Sequence, residues 1–412
     1  MNDGLADRLR AGLVTKLVSD GSLRSPRLIS AFRRVPRHVF LPKFFRPTGD
    51  GFGYTPVSAE TGEEEWLRLA YADDAWTTQL DADPSKWREA RASGTISGTP
   101  TSSSTAPGLM ARMLEALAAD SGSRVLELGT GTGYNAALLC ASLTDEQITS
   151  VEIDNQLVRE ARRSLAEAGF QPMVRATDGD VTDEGEYERL IVTYGVSMIP
   201  EPWLSAVTPG GIIVAPLHRE QMIGAVVRLT VENDRRAIGR FLPFYGGFMP
   251  TRRRAAPAIR QALEAADGDH SSPRPTVLPE LSLVGREPWR FCVSLILGDI
   301  SFTDVMPRDF PDSGGRQHWL IAADGSWAYQ ELSQNGEPII REGGKRRLWT
   351  ELETAVIQWG GLDEPERERL GLIVEQGRQE IWLDTPDHVV RSSLRRPGDD
   401  HRGAAREDTE SI

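Results

Sequence analysis

The 412-residue sequence predicts an α/β protein: a Rossmann-like core with an N-terminal helical element before it and a smaller C-terminal α+β domain after it. Three observations carry this. Between residues 123 and 217, short apolar runs alternate with helical periods, as in a parallel sheet covered on both faces. A glycine-rich turn follows the first of those runs. Beyond Arg252 the texture changes, and six of the ten tryptophans lie there: Trp289, Trp319, Trp327, Trp349, Trp359 and Trp382.

Each element has a local reason. Leu5, Leu9, Leu13 and Leu17 make one apolar helix stripe, with Gly21 as the stop. Ser25-Pro26 opens a second helix, with Leu28, Ile29 and Phe32 on its inner face. From Phe44 to Pro100 the pattern loosens into a polar insertion with Gly49, Gly51, Gly53, Glu63, Glu64 and Glu65. Its aromatics Trp66, Tyr71, Trp76 and Trp87 predict that it packs rather than floats free. Thr101-Ser102-Ser103-Ser104-Thr105 is a run of hydroxyls that fits a flexible loop or a ligand-holding segment. Met110, Met113, Leu114 and Leu117 mark the next helix. Strands are expected over 124–128, 148–152, 172–176, 189–194 and 211–216, with helices over 134–143 and 201–207. Another helix is capped by Asp154, has Leu157, Ala161 and Leu165 inward, and ends at Gly169. Val226–Val231 and Ile238–Phe244 read as a hairpin around Asn233-Asp234. Gly268 to Pro275 is a linker candidate. Asp324-Gly325 turns a second hairpin, and Leu348, Leu352, Ala355, Val356 and Trp359 form a helix face. The expected divisions are 1–107 (helices and a substrate-side insertion), 108–251 (core), 252–388 (α+β) and 389–412 (disordered tail).

Composition excludes several classes. The net charge of −13 repels polyanions, so nucleic acid is not an expected partner. Cys140 and Cys292 are the two cysteines, too few for a disulfide scaffold or a cysteine-rich zinc module. No metal is expected. No apolar run approaches about 18 residues, so no membrane span is expected. The start of the chain reads as folded and cytoplasmic, with no basic-then-apolar leader.

The chemistry concentrates in Glu127-Leu128-Gly129-Thr130-Gly131-Thr132-Gly133. The glycines let the chain turn tightly and approach a ligand. No Gly-Lys-Ser/Thr follows, which excludes a triphosphate loop. Glu152 ends the second strand, where a carboxylate can grip two ribose hydroxyls, and Ile153 follows it. Asp178-Gly179 lies past the third strand, where a carboxylate can meet an adenine amino group. Together these residues suit S-adenosyl-L-methionine, a cationic sulfonium with an adenosine and no phosphate. The core therefore reads as a class I methyltransferase.

The first 250 or so residues resemble the protein L-isoaspartate O-methyltransferase family. Val35-Pro36-Arg37-His38-Val39-Phe40-Leu41-Pro42 looks like its N-terminal signature, and Tyr71-Ala72-Asp73-Asp74 like its acidic loop. The 125–133 run, Glu152, Ile191-Val192-Thr193, Pro200-Glu201-Pro202-Trp203-Leu204 and Pro209-Gly210-Gly211 match later motifs. The family's Thr-Ile-Ser-Gln-Pro, whose serine lies at the active site, is here Ser103-Ser104-Thr105-Ala106-Pro107. Thr105 thus takes the serine's place. The insertion over 44–100 and the stretch beyond 252 are additions. They resemble an extended subgroup that works beside ATP-grasp ligases on ribosomally made, macrocyclised peptides of the graspetide type. That resemblance implies esterification of an ordinary aspartate, followed by collapse to an aspartimide, with a modified precursor peptide as partner. Isoaspartate repair and a peptide-binding accessory protein without turnover are the alternatives.

A carboxylate nucleophile needs no general base, since the reference pKa of aspartate is about 4. Ser103, Ser104 and Thr105 are the expected catalytic hydroxyls, orienting one carboxylate oxygen so that the other attacks in line. The C-terminal tryptophans read either as core or as a peptide groove. His38 reads as a satisfied structural histidine and Cys140 as a buried, inert thiol.

Overall fold

The structure is a computed structural model. It describes residues 3–49, 53–177, 186–218, 224–250, 259–267, 272–278, 291, 300–305, 317–322, 324–333 and 335–391. The chain forms two compact units: Met1–Gly195 with Pro200–Pro216 and Val226–Gly239, and Val196–Ile199 with Leu217–Ala225 and Arg240–Ile412.

The first unit opens with α1 (Asp3–Ser19), which buries Ala6, Leu13, Val14 and Leu17. In α2 (Pro26–Arg34), Pro26 occupies the first turn, where its missing N–H costs no hydrogen bond. The insertion then folds as an antiparallel sheet of its own. Its elements are β1 (Lys43–Pro47), β2 (Tyr54–Ser58), α3 (Ala59–Ala70), β3 (Trp76–Leu80), α4 (Ser85–Ser93) and β4 (Pro100–Ser104), with strand order β2-β1-β3-β4. Phe45, Leu80 and Ala90 form its small core, with Tyr54, Trp87 and Ile96 packed on it. The aromatics of this stretch therefore do pack. The hydroxyl run is not a free loop but an edge strand, with Trp76 opposite Ser104 and Thr77 opposite Ser103.

The main sheet follows: α5 (Pro107–Leu117), β5 (Val125–Leu128), α6 (Tyr134–Ser142), β6 (Ile148–Glu152), α7 (Asn155–Glu167), β7 (Met173–Ala176), β8 (Tyr187–Val192), α8 (Glu201–Ala206), β9 (Val207–Leu217), β10 (Ala225–Asn233) and β11 (Arg236–Tyr245). Strands β7, β6, β5, β8 and β9 lie side by side and parallel, with β10 and β11 beyond. All four residues of β5 are buried, as a doubly covered central strand requires. β6 and β8 flank β5, so the strand order reverses there. In such sheets the crevice at the strands' carboxyl ends is where ligands bind. Strand β8 ends two residues earlier than expected, and Thr193 and Tyr194 leave the sheet at that crevice.

The second unit is α+β. One sheet has the order Arg274–Pro275, Pro338–Gly343, Trp327–Leu332, Gln317–Ala322, Ile300–Val305. Arg274 and Pro275, expected in a linker, pair instead with Ile340 and Ile339. The hairpin at Asp324-Gly325 is present, with Gly325 at φ +84°. The helix Leu348–Gly361 buries Leu348, Trp349, Leu352 and Ala355 against Leu320, Ala328 and Ile340. Leu370–Glu375 and Arg378–Leu383 form an antiparallel pair, and Val389–Arg391 joins it. Val389 was the expected start of a disordered tail. Its pairing with Trp382 moves that boundary, and 392–412 lie outside the described residues. Trp319, Trp327, Trp349, Trp359 and Trp382 are all buried, so these five are core rather than a groove lining. Trp289 lies outside the described residues. No helix among the described residues is long and apolar enough to cross a membrane.

Candidate functional site

The site is built from the turn between β5 and α6. Gly129, Gly131 and Gly133 have φ of +102°, +52° and +86°, a region that side chains disfavour. A Cβ on Gly129 would run into Thr193 Oγ1 and lie 3.1 Å from the Tyr194 ring. The turn is tied to its neighbours on both sides. Gly129 N and Thr130 N donate to Val151 O on β6. Thr193 Oγ1, past the end of β8, donates to Gly129 O at 2.5 Å and to Leu128 O at 3.1 Å. Thr132 is half-buried, and its Oγ1 accepts from Tyr134 N at 3.5 Å.

Beneath the turn lies Glu127. Its carboxylate accepts from Ser150 Oγ at 2.5 Å and from Asn135 Nδ2 at 2.7 Å. Ser150 Oγ also meets Thr130 Oγ1 at 2.6 Å. Burial pushes the Glu127 pKa up to about 7, and the hydrogen bonds from Ser150 and Asn135 pull against it. Glu127 was expected to hold the cofactor directly. It has no solvent exposure, so its place is to support the turn from within.

Glu152 stands at the carboxyl end of β6. Oε2 accepts from Gly131 N at 2.9 Å and Oε1 from Asp154 N at 3.2 Å. A carboxylate has about four acceptor sites, so two remain for ligand hydroxyls. Ile153, next along, is 46% exposed. Asp178 and Gly179 lie outside the described residues. Glu152, Ile153 and the turn from Gly129 to Gly133 thus come together at one crevice mouth.

Strand β4 comes up to the same place. A Cβ on Gly131 would lie 3.8 Å from Ser103 O. Strand alternation sorts the hydroxyls. Ser102 and Ser104 are buried, and Ser102 Oγ accepts from Thr78 Oγ1 at 2.9 Å. Ser103 and Thr105 are half-buried. Gln79 on β3 bridges the two sheets: Nε2 donates to Asp154 Oδ2 at 3.0 Å, and Oε1 accepts from Thr101 Oγ1 at 2.9 Å. Asp154 caps α7, accepting from Gln156 N and Leu157 N.

Three positioning residues were missed as such, although two of them stand inside quoted motifs. Arg37 is fully buried and donates to four carbonyls: Ala70, Ala72, Asp74 and Thr105. Burial lowers its pKa to about 10. Asp73 accepts from Gly108 N at 2.6 Å at the start of α5, and pairs with Lys16 at 2.7 Å. The third is Gln79, for which the sequence carries no signal. His38 is buried, and its Nδ1 lies 2.7 Å from the Tyr71 hydroxyl, a satisfied histidine. Cys140 is buried, and burial pushes its thiol pKa up. Among the described residues, no group of acidic, histidine or cysteine side chains could hold a metal ion.

The model of the protein-L-isoaspartate(D-aspartate) O-methyltransferase family matches residues 88–246. The protein-L-isoaspartate O-methyltransferase of Thermococcus onnurineus is 30% identical over 252 residues, covering 58% of this chain and 95% of that one. That of Thermotoga maritima is 34% identical over 125 residues, 29% of this chain and 39% of that one, so the relative also extends well beyond the matched part. A solved structure of a protein-L-isoaspartate O-methyltransferase aligns over 91% of this chain and 100% of its own, with 20% identity and a TM-score of 0.49.

Proposed function

The chain belongs to the protein-L-isoaspartate(D-aspartate) O-methyltransferase family, and from that premise we propose that it methylates the side-chain carboxylate of isoaspartyl residues in peptides or proteins. It is an S-adenosylmethionine-dependent O-methyltransferase. One observation supports the substrate half of the proposal: β4 runs beside the glycine turn, with Ser103 O 3.8 Å from where a Cβ on Gly131 would lie, and Thr105 follows directly after that strand. S-adenosylmethionine supplies an electrophilic methyl group on a sulfonium sulfur. The residues present fit it: three left-handed glycines, a carboxylate with acceptor sites to spare and an exposed apolar side chain share one crevice. Glu152 would take the ribose hydroxyls and Ile153 the base.

The substrate carboxylate is already ionised at neutral pH, so the protein's task is alignment. Ser103 and Thr105 donate to one carboxylate oxygen and leave the other lone pair for attack. Neutral donors suit this, because a cation would stabilise the ground state and raise the barrier. Arg37 and Asp73 hold the strand end and the start of α5, and so fix where those hydroxyls stand.

A second reading is narrower. In it the carboxylate belongs to an ordinary aspartate of a macrocyclised precursor peptide, an ATP-grasp ligase acts beforehand, and the ester collapses to an aspartimide. The feature that favours it lies in the sequence, where Thr105 stands at the place of the family pattern's serine. Added length does not decide between them, since the Thermotoga maritima relative also extends beyond the match. The comparisons back the isoaspartyl reading better, and it is the conclusion here. We read the site of action as cytoplasmic under either.

Mass spectrometry separates the two. The protein is incubated with S-adenosylmethionine and one of three substrates: an isoaspartyl peptide, its aspartyl twin, or the cyclised product of a neighbouring ligase gene. Methyl gain on the isoaspartyl peptide alone supports the conclusion. Methyl gain and then net water loss on the cyclised peptide alone would overturn it in favour of the second reading.

A further inference from the structure

The chain just past β8 is held by a residue 180 positions away. Gln379, on the strand Arg378–Leu383, is fully buried. Its side-chain amide is bonded at both ends to one backbone residue. Nε2 donates to Ile199 O at 2.7 Å, and Oε1 accepts from Ile199 N at 3.1 Å. This copies the paired bonds of an antiparallel ladder with a side chain in place of a strand. Ile199 is itself buried. Val196 is held too: it bridges to Leu217, and its carbonyl accepts from His218 N at 2.7 Å. Val196–Ile199 belongs with Gln379 in the second unit, yet it continues directly from Thr193, Tyr194 and Gly195 of the first.

We propose that Gln379 is a positioning residue for methyl transfer. By clamping Ile199 it sets the path of residues 194–199, and so keeps Thr193 and Tyr194 against the glycine turn. This rests on the reading of that turn as the methyl-donor site. The link to the turn is short. Thr193 Oγ1 bonds Gly129 O, and the Tyr194 ring stands beside Gly129. A segment free to leave that path takes those contacts with it, and the binding-competent fraction falls.

The position calls for glutamine. Asparagine is one methylene short. Leucine fills the space but leaves Ile199 N–H and C=O buried without partners, the costly way to lose a hydrogen bond. Glutamate keeps an acceptor for Ile199 N but sets a carboxylate oxygen against Ile199 O. Once protonated, it restores both bonds. The clamp also gives the C-terminal addition a task in the reaction itself, apart from any reading of a peptide.

The test uses the full-length protein, with S-adenosylhomocysteine as the probe in titration calorimetry. Wild type, Gln379→Leu and Gln379→Glu are compared, with circular dichroism and thermal midpoints as folding controls. Gln379→Leu is expected to weaken binding about tenfold, the shift for a competent fraction near one in ten. In turnover, KM for S-adenosylmethionine should rise by the same factor while kcat at saturation holds within about threefold. Gln379→Glu, taken as a ratio to wild type at each pH, should be weakened at pH 8 and recover toward wild type at pH 6. A folded Gln379→Leu protein that binds within twofold of wild type overturns the proposal, whatever its thermal midpoint. Should that variant not fold, a Gln379→Glu ratio that is constant from pH 6 to pH 8 overturns it. Failure of wild type to bind the probe overturns the donor-site reading instead, and this inference with it.

Discussion

Glu127 contributes a pH dependence to the stability of the core through its buried carboxylate. Its pKa is raised from the ordinary carboxylate value of 4.5 to about 7. The folded state therefore holds a proton that the unfolded chain has released. This stabilisation is complete below about pH 4.5 and is lost as pH rises through about 7, on the order of 3 kcal/mol in all. Chemical denaturation of wild type beside Glu127→Gln should show it: the difference between the two is expected to change across pH 5–7 and to level off above. A flat difference across that range would mean the carboxylate is ionised throughout. Gly129 offers a sharper loss. At φ +102°, with Thr193 Oγ1 in the way of a Cβ, Gly129→Ala strains the backbone by roughly 1–2 kcal/mol before any clash is counted. Calorimetry should show S-adenosylhomocysteine binding weakened at least about tenfold, and unaltered binding would remove the turn from the donor site.

At the scale of elements, the proposed alignment of the substrate carboxylate depends on β4 and its attachments. Thr101, Ser103 and Thr105 of the hydroxyl run are half-exposed, while Ser102 and Ser104 face inward, and the Thr101 hydroxyl is engaged with Gln79 and Ala82. Ser103→Ala and Thr105→Ala are therefore expected to lower kcat about 10–100-fold each, the worth of one oriented hydrogen bond to a charged group. Affinity for S-adenosylhomocysteine should not change. Ser102→Ala should leave kcat within about threefold. Equal losses from all three would show that the strand, and not the individual hydroxyls, is what matters. Arg37→Met tests the attachment. It strips a charged partner from four carbonyls, one of them that of Thr105. Destabilisation of at least about 3 kcal/mol is expected in urea titration.

For the whole molecule, charge sets the partners that are avoided. With a net charge of −13, the protein should not retard duplex DNA in a mobility assay at about 0.1 M salt, where one Debye length is near 10 Å. Retardation that salt abolishes would point instead to a local basic surface. Size has a separate consequence. Two compact units share the chain, and the second takes short pieces of its contacts from 196–199 and 217–225, inside the core sequence. A cut at either flank of those pieces in the primary sequence would therefore not separate one unit from the other.

Much of the core was legible in the sequence. Alternation of apolar period gave β5 to β9 and their helices in order, because burial on two faces leaves a run that few other folds produce. The glycine turn and Glu152 were legible for a stricter reason. Left-handed backbone and a strand-end carboxylate each admit few residue types, so the residue type itself reports the geometry. Asp154 announced its cap in the same way. The rest depended on which surfaces met. The run 101–105 has a composition that fits a loop, and only pairing with β3 made 101–104 a strand with two inward and two outward hydroxyls, Thr105 following it. Glu127 reads as a ligand in sequence, yet packing closed over it. Gln79, Arg37 and Gln379 act through hydrogen bonds to residues that the chain brings near only on folding, 75, 68 and 180 positions away. Local chemistry determined where a ligand could lie; long-range packing decided which side chains hold that place still, since no periodicity records a partner so distant.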